Sequence, residues 1–142
     1  MTKEERREYW KQYFFNKRKR YLEQKKRYRV KHADKISEYQ KQYNKTQMGR
    51  AAYLVQGYKK ADKNASRGKC TLTAKWVVEN IFAEKCIYCG ESDWTKLGCD
   101  RIDNSKPHTE DNVVPCCKAC NNKRGAKPYE QFLQECTKEQ PF

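Results

Sequence analysis

The chain has 142 residues, 35% charged and 37% apolar, and a formal net charge of +14. That balance excludes a large buried core, and no apolar run approaches the roughly 18 residues that a membrane span needs. The N-terminal stretch MTKEERREYW is charged but has no apolar segment, so a secretory signal is not expected and an intracellular location is. In a reducing compartment, eight cysteines point to metal before disulfides.

Residues 1–69 hold 22 Lys and Arg against 7 Asp and Glu, while residues 70–142 hold 10 against 11. No cysteine precedes Cys70. The sequence therefore reads as a basic arm joined to a neutral, cysteine-rich module. An arm of that charge seeks a polyanion, and nucleic acid is the default.

Residues 1–48 form the predicted arm. Between Thr2 and Met48 there is no Gly or Pro, and Lys, Arg, Glu and Gln dominate, all good helix formers. At 100° per residue, Trp10, Phe14, Tyr21, Tyr28, His32, Ile36, Tyr39 and Tyr43 fall in one stripe about 80° wide. The pattern predicts one long helix, or two with a break near Ala33-Asp34, where Asp34 is a candidate N-cap. The stripe lacks the Leu/Ile/Val seam of a stable coiled coil, which argues for a monomer or a weak dimer. Candidate nucleic-acid contacts are Arg6, Arg7, Lys11, Lys17, Arg18, Lys19, Arg20, Lys25, Lys26, Arg27, Arg29 and Lys31. They are expected to meet phosphates, positioning the protein without reading sequence.

Residues 49–85 read as a helical joint. Gly49 opens a mixed stretch, Ala51 to Val55 with Tyr58 suits a second helix, and Asp62 to Gly68 reads as a polar loop. Thr73 is the expected cap of a further helix that places Trp76, Val77, Val78, Ile81 and Phe82 in the core.

Residues 86–130 form the module, with a tail at 131–142. Cys86-Ile-Tyr-Cys89-Gly90 and Cys117-Lys-Ala-Cys120 are two Cys-x-x-Cys knuckles with 27 residues between them. Four thiolates suit one structural zinc ion, and an all-cysteine set closes the site to catalysis. Cys116 competes with Cys117, but only Cys117 has the two-residue spacing to Cys120, so Cys116 is expected to be buried at a strand end. Cys70, Cys99 and Cys136 are expected to be ordinary thiols. Between the knuckles, Leu97 to Asp103 and Asn112 to Cys116 flank a turn-rich loop and predict a β-hairpin. Lys118 to just before Gly125 predicts a short helix.

The two knuckles, Asp100-Arg-Ile-Asp103, Asp111-Asn-Val-Val114 and Cys120-Asn-Asn-Lys123 together resemble the HNH endonucleases, in particular the zinc-stapled, phage-encoded type similar to free-standing homing endonucleases. The resemblance covers residues 86–124. It implies an α+β fold: a small zinc-stapled ββα-metal module, here preceded by the long basic helical arm. It also implies metal-dependent hydrolysis of double-stranded DNA, as a homing or nicking enzyme, with one Mg²⁺ or Mn²⁺ beside the structural Zn²⁺. On that resemblance Asp100 matches the acidic metal ligand, Asn112 the residue bracing the hairpin loop, and Asn121 the final metal ligand. Lys123 and Arg124 add contacts to DNA. The family's general-base histidine corresponds to Arg101, which stays protonated and suits a phosphate clamp. The base is then His108, a tyrosine, or metal-bound water without a protein base. His108 follows Pro107 in a turn, a position that predicts exposure. The alternatives are a catalytically decayed DNA-binding zinc module or a structural zinc protein of a nucleoprotein assembly.

Overall fold

The computed structural model describes residues 1–138, so positions 139–142 of the expected tail lie outside the described residues. The chain divides into two units, Met1–Lys41 and Gln42–Phe142. No described helix is long and apolar enough to cross a membrane.

The first unit is helical. Helix α1 spans Lys3–Lys31 and opens with a reciprocal cap: the Thr2 amide donates to Glu5 Oε2 at 2.5 Å, and the Glu5 amide donates to Thr2 Oγ1 at 3.2 Å. It buries no residue. Helix α2 spans Ala33–Asn44, so the two-helix alternative is the observed one. The break falls at His32, which ends α1 with its amide on Tyr28 O at 3.0 Å and its ring 4.3 Å from that of Tyr28. Asp34 therefore lies in the first turn of α2 and is not its cap, although its charge still complements the positive helix end. The stripe residues Trp10, Phe14, Tyr21, Tyr28, Ile36 and Tyr39 are exposed, but so are Tyr9, Phe15, Leu22 and Val30. Aromatic surface thus surrounds α1, and the expected single stripe is not set apart by burial. The candidate cations from Arg6 to Lys31 are all exposed.

The second unit is α+β and holds the core. Helix α3 (Gln47–Asn64) is capped by Thr46, whose Oγ1 accepts the Gly49 amide at 3.0 Å. It runs through Asp62, where a polar loop was expected, because Ala61 to Asn64 contains no breaker and Asp62 has a buried partner. Thr73 caps α4 (Ala74–Val77) as expected, and the chain continues as a π-helical turn, Val78–Phe82. Val77, Ile81 and Phe82 are buried, with Trp76 and Val78 partly so.

Strands β1 (Leu97–Arg101) and β2 (Val113–Cys117) form the predicted antiparallel hairpin, with Leu97 opposite Cys117 and Arg101 opposite Val113. Helix α3 covers the free edge of β1. Arg50 Nη2 donates to Leu97 O at 3.1 Å, and the Cys99 amide donates to the Tyr58 hydroxyl at 2.8 Å. These side chains satisfy an edge that would otherwise invite another strand. Gly98 permits this approach, since a Cβ there would stand 3.0 Å from the Tyr58 hydroxyl. Helix α5 spans Lys118–Arg124, as its sequence predicts, and stops at Gly125. Part of the expected tail is a sixth helix, α6 (Tyr129–Lys138). Its Phe132 is fully buried with its ring 4.8 Å from that of Tyr88. The i, i+3, i+4, i+7 series Tyr129, Phe132, Leu133, Cys136 is the apolar face that signals it.

Candidate functional site

Two sites share the hairpin. At its open end, where Leu97 pairs with Cys117, the sulfurs of Cys86, Cys89, Cys117 and Cys120 all lie within 4.8 Å of one another, and Cys89 and Cys117 are 3.7 Å apart. Ligands about 2.3 Å from a tetrahedral zinc stand roughly 3.8 Å apart, so the cluster fits one ion. The fold builds the knuckles from backbone hydrogen bonds. The Gly90 amide donates to Cys86 O at 2.9 Å, a turn that Gly90 makes at φ 77°, where only glycine is unstrained. The Ile87 amide ties the first knuckle to Pro115 O of β2 at 3.0 Å. In the second, the Cys120 amide points at Cys117 Sγ at 3.4 Å. Burial by itself raises the Cys86 thiol, but the amides of Cys117, Cys89 and Tyr88 outweigh it and hold the thiol down to about 7. Burial and the neighbouring Cys89 and Cys117 push Cys120 up. Four crowded thiols cannot all ionise without a cation between them, so the donor set suits a divalent thiophilic metal. Cys116 is buried beside the cluster and outside it, as expected. Cys70 and Cys99 are buried thiols raised by burial, Cys99 to about 12, which makes them inert.

At the other end, a cleft of about 320 Å³ is lined by Asp100, Arg101, His108 and Asn121, with Tyr58, Arg67, Asn104 and Gly125 among its other walls. Four of the residues expected to work together therefore meet. Asn112 stands behind them. Its Oδ1 accepts the Asp103 amide at 2.9 Å, and its Nδ2 donates to Asp103 O at 3.1 Å and to Pro107 O at 2.9 Å, which closes the hairpin loop. Asp103 in turn accepts from Ser105 within the loop.

Asp100 is buried. Its Oδ2 accepts from the Tyr88 hydroxyl at 2.7 Å and from Arg124 Nη1 at 2.6 Å. Its Oδ1 has no hydrogen bond among the described residues, and Asp100 is one of the residues that line the cleft. Burial first, then Asp100, raises the Tyr88 phenol, which stays protonated and donates. Arg124 was expected to face DNA; instead it is buried. Its remaining bonds go to the carbonyls of Arg101 at 2.5 Å, Ile102 at 3.4 Å and Lys127 at 3.0 Å. A guanidinium at the end of a short helix satisfies three carbonyls and one carboxylate that no other side chain could reach together. Lys123 is exposed on α5.

Arg101 is half-buried, and its Nη1 donates to Asn104 O at 2.8 Å and Lys106 O at 3.2 Å, so part of its fork holds the loop. Burial lowers its pKa, and the charge of Arg67 adds to the effect. Two guanidiniums thus crowd one cleft. Arg67 comes from the segment after α3, and nothing in its sequence context marks it.

His108 is buried, contrary to the exposure its turn position predicts. Its ring stacks on Tyr58 with centroids 4.2 Å apart. Its Nδ1 is 2.9 Å from Asp62 Oδ2, and the same oxygen accepts the His108 amide at 2.8 Å. Asp62 is fully buried. The sequence held a signal for it: Ala51, Val55, Tyr58 and Asp62 occupy one helical face at i, i+4, i+7 and i+11, and an aspartate on such a face requires a buried partner.

Compared with family models and with the curated proteins, the chain matches none.

Proposed function

We propose that the chain is a metal-dependent DNA endonuclease of the HNH kind, whose ββα element, the hairpin with α5, cuts a phosphodiester held by basic residues. The observation that carries this reading is the cleft whose lining brings together Asp100, Asn121, His108 and two arginines, Arg67 and Arg101. A carboxylate and an amide oxygen form a hard donor set that leaves positions for water and phosphate, which suits Mg²⁺ or Mn²⁺. Such an ion, when bound, would stabilise charge on the phosphate and on the leaving oxygen. The chain's own residues supply the rest. Arg124 and Tyr88 fix the Asp100 carboxylate, Asn112 fixes the loop, and Arg67 and Arg101 attract the phosphate.

The test is incubation of plasmid with zinc-loaded protein and Mg²⁺ or Mn²⁺. Parent protein is expected to nick or linearise it, and Asp100→Asn to lose at least 10²-fold in rate while keeping its fold. Asn is the informative substitution, because Ala would also strip a buried arginine of its acceptor.

One observation favours a second reading, a zinc module that binds DNA without cutting. The Asp100 charge is already paired with Arg124 at 2.6 Å, which weakens its pull on a dication. A clean gel shift without cleavage in either metal would establish that reading.

The exposed cations of α1 support double-stranded DNA as the partner in both readings. Removing residues 2–41 is expected to weaken DNA binding and to flatten its salt dependence, since each lost phosphate contact takes about 0.9 from the slope of log K against log salt. An unchanged slope in a salt titration would assign the arm another task.

A further inference from the structure

The position at which the HNH resemblance expects a proton acceptor is Arg101, and a guanidinium cannot accept one at neutral pH. The fold brings another group to the same cleft. His108 lines it, and Asp62, from a helix outside the resembling segment, holds its Nδ1 at 2.9 Å. Nε2 has no hydrogen-bond partner among the described residues.

We infer that Asp62 and His108 form the proton-accepting pair of the nuclease, with His108 Nε2 as the base and Asp62 as the positioning residue that fixes the ring. The inference rests on the nuclease reading. Three constraints immobilise the imidazole. Tyr58 stacks on one face at 4.2 Å, the His108 amide is held by Asp62, and its carbonyl accepts the Thr71 amide at 3.1 Å. A carboxylate at Nδ1 selects the tautomer protonated there and leaves Nε2 with its lone pair. In the step, an attacking water forms its bond to phosphorus and gives one proton to Nε2. The bond from phosphorus to the 3′ oxygen breaks, and that oxygen takes a proton from solvent. The imidazolium later returns its proton to water. Asp62 keeps its charge and offsets that of the imidazolium.

The groups facing His108 are Asp62 and Tyr58 from α3, Arg67 from the following segment, and Arg101 from β1. Burial lowers its pKa from the ordinary 6.5. Asp62 works against that, and the two arginines reinforce it. The ring is accordingly neutral, and able to accept a proton, at pH 7.

The experiment is single-turnover cleavage against pH for parent, His108→Gln, His108→Ala and Asp62→Asn, each zinc-loaded, with ¹⁵N spectra of the imidazoles. The chain has two histidines, so the His108→Gln spectrum assigns the signal. The parent rate is expected to rise through an inflection below 6.5 that matches the His108 titration, with the neutral ring protonated at Nδ1. His108→Gln should lose on the order of 10²-fold or more, and free imidazole should restore part of the loss in His108→Ala. Asp62→Asn should lower the plateau rate and move the inflection to lower pH, because the group that raises the histidine's pKa is gone. A purely structural Asp62 would, on replacement by Asn, change the melting temperature and leave the plateau rate and the Nδ1–H tautomer of the parent in place. If the parent cuts, Asp100→Asn does not, and His108→Gln cuts at the parent rate, the nuclease reading stands and the pair is overturned. A parent that cuts nothing overturns the nuclease reading and the base role together, even if the spectra show the Nδ1–H tautomer.

Discussion

Protein purified without chelator is expected to carry one zinc per chain, and Cys117→Ser is expected to leave residues 42–142 unfolded. The physical reason is the position of the cluster. Cys86 and Cys89 precede the hairpin, while Cys117 ends β2 and caps α5 by accepting the Cys120 amide. One ion bound there would therefore join the knuckle, the second strand and the helix. The apolar core around it comprises few large side chains, among them Leu72, Ile81, Phe82, Leu97 and Phe132, so it has little stability to spare. Metal binding to such a site is worth on the order of 10 kcal/mol of folding free energy at neutral pH, comparable with the whole stability of an ordinary domain. Elemental analysis and circular dichroism before and after chelation check this. A chelated protein that kept its hairpin resonances would show that the cluster is not the staple.

Arg124→Ala is expected to cost about 3–5 kcal/mol in zinc-saturated protein, because it leaves the Asp100 carboxylate buried without its charged partner. The lost bonds are the Asp100 pair at 2.6 Å and those to three backbone carbonyls. Arg124→Lys should recover little, since an ammonium on a flexible stem cannot span acceptors on both β1 and the segment after α5. Adding Asp100→Asn to Arg124→Ala should relieve part of the cost, because the remaining side chain is then neutral. Urea denaturation with zinc present measures all three. A loss below about 1 kcal/mol for Arg124→Ala would mean that water screens the pair. Asp100 would then offer a ligand its full charge.

The same pair sets two demands on one residue. Oδ2 of Asp100 accepts from Tyr88 and Arg124 and so serves the fold, while the same residue lines the cleft. Substitutions at Asp100 therefore need a folding control alongside every activity measurement.

Local chemistry fixed much of this architecture in advance. The Cys-x-x-Cys spacing determines each pair of sulfurs, because ligands two residues apart on a tight turn converge, and the hairpin between the knuckles brings the two pairs together. The Thr73 cap, the hairpin and the stop of α5 at Gly125 follow from side chains acting on their own neighbouring backbone. A breaker-free run of helix formers likewise determines α1, which needs no tertiary partner to be recognised. What the tertiary structure decided are the contacts between residues far apart in the chain. Asp62 and His108 are 46 residues apart, and Arg124 and Asp100 are 24 apart. Neither pair has a spacing rule, since each depends on where two separately formed elements come to rest. A turn histidine and a terminal arginine look solvent-facing in sequence because propensity counts only neighbours. They are buried because α3 packs on the edge of β1 and α5 folds back over its end, and there each charged or polar group finds the one partner that makes its burial affordable.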